Sequence, residues 1–306
     1  MPGKFLRPLN KLYRLLRMDE RMANVESRVS HIARLRHRVD RLSDRIDHYM
    51  VLMDALKSSL EVPPELVDEF IEWKARNPIP ERPLVSVIVA TYNRPGPLME
   101  RCVPSILGQT YDNLELIVVG DCCTDETGEL LSAIDDPRLS FTNLPERSSY
   151  PEDPERRWMV AGVPPRNRGL AAARGEFITY LDDDDEYTLD RLEKLVKFAS
   201  EEGCDVVWHP FWFETADDEW VLIEAQNFTL GQVTTSSVFY RSWFKKIPWN
   251  LEAHRLMEPD DWNLFRRIKY MNPVCRRYPE PLHKHYKERS PDHLVSNLFD
   301  ATRSVE

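Results

Sequence analysis

Between Met22 and Leu60 apolar residues recur at spacings of three and four: Met22, Val25, Val29 and Ile32, then Leu35, Val39, Leu42, Ile46, Tyr49, Met53, Leu56 and Leu60. This ladder, free of Gly and Pro, predicts one long helix with a narrow apolar seam, the pattern of a coiled coil. The step from Ile32 to Leu35 repeats a spacing of three, a stammer that predicts local overwinding. A helix cannot bury such a seam on itself, so the pattern predicts a homo-oligomer; the alternative is that the seam packs back on the chain's own globular part. Pro63, Pro64, Pro78, Pro80 and Pro83 then mark residues 62–84 as a linker around a short amphipathic piece.

Beyond residue 84 strands alternate with helices, the signature of a mainly parallel sheet. Val85–Ala90 and Leu114–Val119 read as short, fully buried strands, Leu139–Asn143 as a third, and Phe177–Leu181 as a later one. Leu98–Leu107, Thr127–Ile134, Arg166–Ala173 and Leu189–Ser200 read as the intervening helices, the last closed by Gly203. Pro145–Pro165 is a long loop with a basic aromatic knot at Arg156-Arg157-Trp158, a length that predicts a lid or insertion. Cys204–Phe213 and Trp220–Glu224 read as a hairpin around Ala216-Asp217-Asp218.

The formal charge of −10 argues against general nucleic-acid binding, although the first sixty residues are basic. Residues 4–17 contain no acid and place Phe5, Leu9, Leu12 and Leu16 near one helical face. That segment is a candidate for peripheral contact with an anionic membrane, or else a basic helix end. The five cysteines form neither a C-x-x-C pair nor a dense framework and read as thiols, and no apolar run approaches the ~20 residues needed to span a bilayer. The expected location is the cytoplasm, with the inner membrane face as the place of any peripheral contact.

The strand at 177–181 ends in four carboxylates, Asp182-Asp183-Asp184-Asp185. Adjacent carboxylates repel unless a cation neutralises them, so the run reads either as a divalent-metal site or as a solvated, helix-capping acidic loop. Ligands of open α/β sheets bind beyond the carboxyl ends of the strands, where Thr91-Tyr92-Asn93-Arg94 and Asp121–Asp125 would join these acids. Glu258-Pro259-Asp260-Asp261-Trp262 opens another helical stretch and offers either a general base or acids that complement a helix N-terminus.

The runs Val85–Arg94, Leu116–Asp125 and Asn167–Glu176, with the acidic strand end, together resemble family 2 glycosyltransferases of the GT-A fold, over roughly Val85 to Ser290. The resemblance implies a nucleotide-diphospho-sugar transferase fold, a Rossmann-like mixed sheet, for residues 85–290; the basic segment and coiled coil (1–61) and linker (62–84) read from the pattern above, and the tail (291–306), lie outside it. It further implies inverting transfer of a sugar from a nucleoside diphosphate, a UDP-sugar by preference, to a hydroxyl of a cell-surface glycan or glycolipid. Asp121 would contact the nucleotide base beside Ala90, Thr91 and Asn93. Asp182–Asp184 would be the D-x-D signature, with Asp184 touching Mn²⁺ or Mg²⁺ and Asp182 and Asp183 assisting. By the same resemblance Asp261 would be the general base, with Asp260 supporting it or binding acceptor. His283 or His285 would complete the metal shell, and Arg156, Arg157, Asn167 and Arg174 are further candidates on the nucleotide side.

Two features depart from the family pattern. Gly120-Asp121-Cys122-Cys123 stands where many members carry two acids and Gly-Ser, and there is no Gln-x-x-Arg-Trp motif of processive enzymes. The expected product is therefore one sugar, or a few, added to a separate acceptor. A degenerate binding domain scaffolded by the coiled coil is the competing reading. A nucleotidyltransferase is disfavoured because Thr91–Pro95 is not a glycine-rich phosphate loop.

Overall fold

The computed structural model describes residues 31–287 apart from 33, 34, 44 and 47. The chain divides into two compact units, Met1–Lys57 and Ser58–Glu306. The basic segment at 4–17, the ladder's first three positions and the tail at 291–306 lie outside the described residues. In the first unit every described residue is helical. Its ladder positions from Ile32 to Leu56 are between 45% and 63% exposed, so the first unit does not bury the seam within itself. Among the described residues no helix is long and apolar enough to cross a membrane.

The second unit begins before the expected domain boundary. Residues 62–84, expected as a linker, contain helix α1 (Pro64–Arg76). Phe70 of α1 is buried and packs its ring 5.1 Å from Trp243 and 4.9 Å from Phe244. Proline supports this helix because Pro64 sits in its first turn, where the missing N–H costs nothing. The proline count that suggested a linker therefore marks a helix start and an extended return to the sheet.

Strand β1 (Val85–Thr91) lies in the interior of a seven-stranded sheet. Beside it run β2 (Leu114–Gly120) and β4 (Phe177–Tyr180), both parallel to it, and β3 (Leu139–Asn143) pairs in parallel with β2. The runs of β1 and β2, apolar up to their carboxyl ends but for Ser86 and Glu115, which hydrogen-bond each other, fit strands covered on both faces. On one face α5 (Val163–Ala172) packs across β1. Gly169 makes this approach possible, since a Cβ there would come within 2.5 Å of Ile88 Cγ2. Beyond β4 the order continues with β9 (Val238–Arg241), antiparallel to its neighbours, then β6 (Val206–Trp208) and β10 (Cys275–Arg277).

A smaller sheet is built from β5 (Glu186–Tyr187), β11 (His283–His285), β7 (Phe211–Glu214) and β8 (Trp220–Ile223). The hairpin expected at 204–224 is present only in its second part, as β7 and β8. Residues Cys204–Phe213 do not form one strand: the chain leaves the large sheet after Trp208 and enters the small one at Phe211, with Pro210 at the crossing. The remaining helices are α2 (95–107, with a π turn at Leu98–Cys102), α3 (Thr127–Ser132), α4 (Pro154–Val160), α6 (Arg191–Glu202) and α7 (Asp260–Tyr270). Gly203 ends α6 with φ of 61°, the left-handed cap its sequence position implies.

Candidate active site

The carboxyl ends of β1, β2 and β4 bring their polar residues together. The Thr91 hydroxyl donates to Asp183 Oδ2 at 2.7 Å, and the Asp121 backbone N–H donates to the Thr91 carbonyl at 2.9 Å. Ala90 precedes Thr91 on the same strand. Asn93, at φ of 50°, holds the β1 and β2 ends together: its Oδ1 accepts from the Thr124 N–H and its Nδ2 donates to the Thr124 hydroxyl.

The four acids after β4 have distinct surroundings. Asp184 is held by Arg94 at 2.7 Å, and Arg94 also lies 3.4 Å from Asp183. Burial first, then repulsion from Asp184, pushes the Asp183 carboxyl up to about 7. Asp185 is fully buried, 2.9 Å from His285 Nδ1, and accepts from the Tyr286 N–H and the Ser236 hydroxyl. Burial would lower the His285 pKa, but the Asp185 carboxylate outweighs it and the imidazole is held up at about 10. Asp182, Asp185 and His285 each offer a ligand atom, all within 4.8 Å of one another. Two carboxylates and an imidazole so arranged fit a divalent cation that displaces the imidazole proton shared with Asp185.

This geometry differs from the expected metal set in one residue. Asp182 and His285 are in the group, but Asp185 stands in the place expected for Asp184, whose carboxylate faces Arg94. Of the two candidate histidines, His283 is buried with its ring stacked 4.9 Å from Phe211, away from the acids. Position along the strand separates the two: His283 and His285 share one face of β11, yet only His285 sits at the end that reaches Asp185.

The acids at the start of α7 meet the strand-end acids through Arg166. Its Nη1 donates to Asp260 at 2.6 Å, its Nη2 lies 3.3 Å from Asp182, and its guanidinium covers the Trp249 ring at 4.8 Å. Asp261 accepts the Trp262 N–H at 2.6 Å. Burial holds Asp260 and Asp261 above the usual carboxylate range, at about 7 and about 6, against the opposing pull of Arg166. Arg166 has no assigned role in the sequence reading. Its signal in the sequence is its place beside Asn167 in the run that leads to Gly169. Asn167 instead fixes the loop under Arg166, exchanging two 2.9 Å hydrogen bonds with the Trp249 backbone.

Three arginines expected on the nucleotide side stand elsewhere. Arg174 binds Glu115 through its backbone N–H and guanidinium, at the amino end of β2 and so at the opposite edge of the sheet. Arg157 turns its guanidinium back to the Pro151 and Glu152 carbonyls, and Arg156 is exposed on the first turn of α4, where its N–H is capped by Asp153. The long loop does reach the site, but through other residues. Ser148 and Tyr150 donate to the two oxygens of Asp121 at 2.8 and 2.7 Å, while the Arg147 guanidinium lies 3.1 Å over the Tyr92 ring.

A mixed sheet with acids gathered at its carboxyl edge defines the GT-A class of folds. The structure of S. aureus TarS in complex with UDP-GlcNAc is similar over 68% of this chain and 60% of that one, with a TM-score of 0.54 and 21% identity. Residues 86–226 match the glycosyl transferase family 2 model. Among curated relatives, glycosyltransferase GlyG of Streptococcus pneumoniae is 27% identical over 66% of this chain and 65% of its own. A GalNAc(5)-diNAcBac-PP-undecaprenol beta-1,3-glucosyltransferase of Campylobacter jejuni is 37% identical over 39% of this chain and 35% of its own. In each case the match spans less than two thirds of the relative's length.

Proposed function

We propose that this domain is a metal-dependent, inverting glycosyltransferase that moves a sugar from a nucleoside diphosphate, a UDP-sugar by preference, to a hydroxyl of a cell-surface glycan or glycolipid. The observation that carries this reading is the span of Arg166, which joins Asp182 at the end of β4 to Asp260 at the start of α7. Acids about eighty positions apart are thereby brought together, as transfer between a diphosphate donor and a separate acceptor requires. The family match and the relatives' names support the reaction class, and the UDP-GlcNAc complex of TarS supports the choice of nucleotide.

In this reading Asp261 is the base. Asp260 is committed to Arg166, whereas the Asp261 carboxyl, raised to about 6 by burial, is ionised at neutral pH yet retains proton affinity. The acceptor hydroxyl passes its proton to Asp261 as its oxygen bonds to the anomeric carbon. The bond from that carbon to the diphosphate oxygen breaks on the opposite face, and its electron pair leaves with the diphosphate. Arg94 and Arg166 stand at the strand ends to meet the departing negative charge. Asp182, Asp185 and His285 would hold Mn²⁺ or Mg²⁺, which supplies further counter-charge to the diphosphate.

The proposal extends to the N-terminus: the ladder pairs with other copies as a coiled coil, and residues 4–17 contact an anionic membrane from the cytoplasmic side. The decisive experiment is a screen of nucleotide sugars with Mn²⁺, reading thermal shift and donor turnover. A raised melting point and turnover lost in Asp261→Asn are expected. Failure of every common nucleotide sugar to bind or react overturns the assignment.

A further inference from the structure

Glu61 precedes the family-matched residues, yet its carboxylate reaches the framework that holds the acceptor-side acids. Its Oε1 accepts from the side-chain amides of Asn250 and Asn263, each at 3.3 Å, and its Oε2 accepts from Arg266 at 2.5 Å. Arg266 in turn donates to Glu258 through Nε and Nη2, at 3.0 and 2.7 Å, and to the Ser58 hydroxyl through Nη1 at 3.0 Å. Glu258 lies two residues before Asp260, and Asn263 lies on the first turn of α7 behind it. Asn250 follows Trp249, the ring on which Arg166 rests. One carboxylate therefore ties together both supports of the Arg166–Asp260 pair: the helix that carries the acid and the loop that carries the ring beneath the cation.

This is not a surface ion pair that solvent would screen, because Arg266, Glu258 and Asn263 are all buried. Burying a cation between two carboxylates incurs a desolvation cost that an apolar cluster of the same volume would avoid. What the charged cluster adds is direction, since each hydrogen bond fixes an angle as well as a distance.

We propose that Glu61 is a positioning residue for the acceptor-side acids, setting through Arg266, Asn263 and Asn250 where Asp260 and Asp261 stand relative to Arg166. The kinetic consequence rests on the transferase reading; the structural consequence does not. Two measurements on the full chain separate them, amide hydrogen exchange and steady-state kinetics with whichever UDP-sugar the screen identifies.

In Glu61→Ala, exchange should rise in peptides covering 249–264 and stay unchanged in peptides covering β1 and β2. Affinity for UDP with Mn²⁺ and KM for the donor should hold while kcat falls about 10- to 100-fold, the scale of a small misplacement of a reacting group. Glu61→Gln keeps one oxygen for the two amides and loses the charge facing Arg266, so its kcat should lie between those of the parent and Glu61→Ala. Unchanged exchange at 249–264, or unchanged kcat in a turning-over enzyme, overturns the proposal. Exchange that rises throughout the second unit of Glu61→Ala moves the decision to Glu61→Gln, judged by the same local criterion. If the parent chain turns over no nucleotide sugar, the transferase reading fails and the exchange result alone decides the role of Glu61.

Discussion

Asp261 and Asp260 are consecutive, yet their surroundings separate their roles. Asp260 is locked to Arg166 at 2.6 Å, whereas Asp261 accepts a neighbouring N–H. As a base Asp261 must be ionised, so activity should be full above its pKa of about 6 and fall as pH drops through it. Burial is the largest cause of this value; the Trp262 N–H and then Arg166 oppose protonation, Asp182 favours it, and the Thr235 N–H opposes it again. Asp261→Asn should lower kcat by about 10² to 10⁴-fold, abolish the acidic limb of the pH–rate profile and leave UDP binding intact. Metal contact can be assigned by a similar comparison. Asp185→Ala should weaken Mn²⁺ binding by at least about 10-fold, while Asp184→Ala, which removes the partner of Arg94, should weaken it less; isothermal titration of both variants with Mn²⁺ alone would show the order.

The elements that present these residues depend on close packing at few points. Gly169 lets α5 lie against β1, and Gly169→Ala would press a methyl against Ile88. The expected cost is about 1 to 3 kcal/mol of unfolding free energy, read by urea titration at unchanged m-value. The inner strands were legible in the sequence because a strand covered on both faces must be largely apolar, and β1, β2 and β4 stand where that pattern places them, whereas β3 lies at the sheet edge and alternates apolar with polar residues. The site was legible as far as strand ends dictate it, which is why the three acidic or polar runs converge. Which of four successive aspartates faces His285 was not legible, since that depends on the turn taken after Leu181 rather than on composition. Arg166 was hidden for a related reason: a cation in a helix declares its partners only once the helix is docked. Arg174 misled because its charge looked functional, although its carboxylate partner Glu115 waits at the far edge of the sheet.

At the scale of the whole molecule, the first unit does not bury its apolar seam within itself. Side chains from Ile32 to Leu56 repeat at the coiled-coil period, and exposing such a stripe in water is unfavourable by roughly 25 cal/mol per Å² of apolar surface. Only a partner with the same period can interdigitate along its full length, and a second copy of the chain carries that period by construction. Charge placed in the seam should break the association without touching the transferase domain. Full-length chain with Leu42→Glu and Ile46→Glu should sediment as a monomer where the parent sediments as an oligomer, and donor turnover per chain should persist. A parent chain that is monomeric at every concentration would instead mean that the seam is covered by something other than a copy of itself.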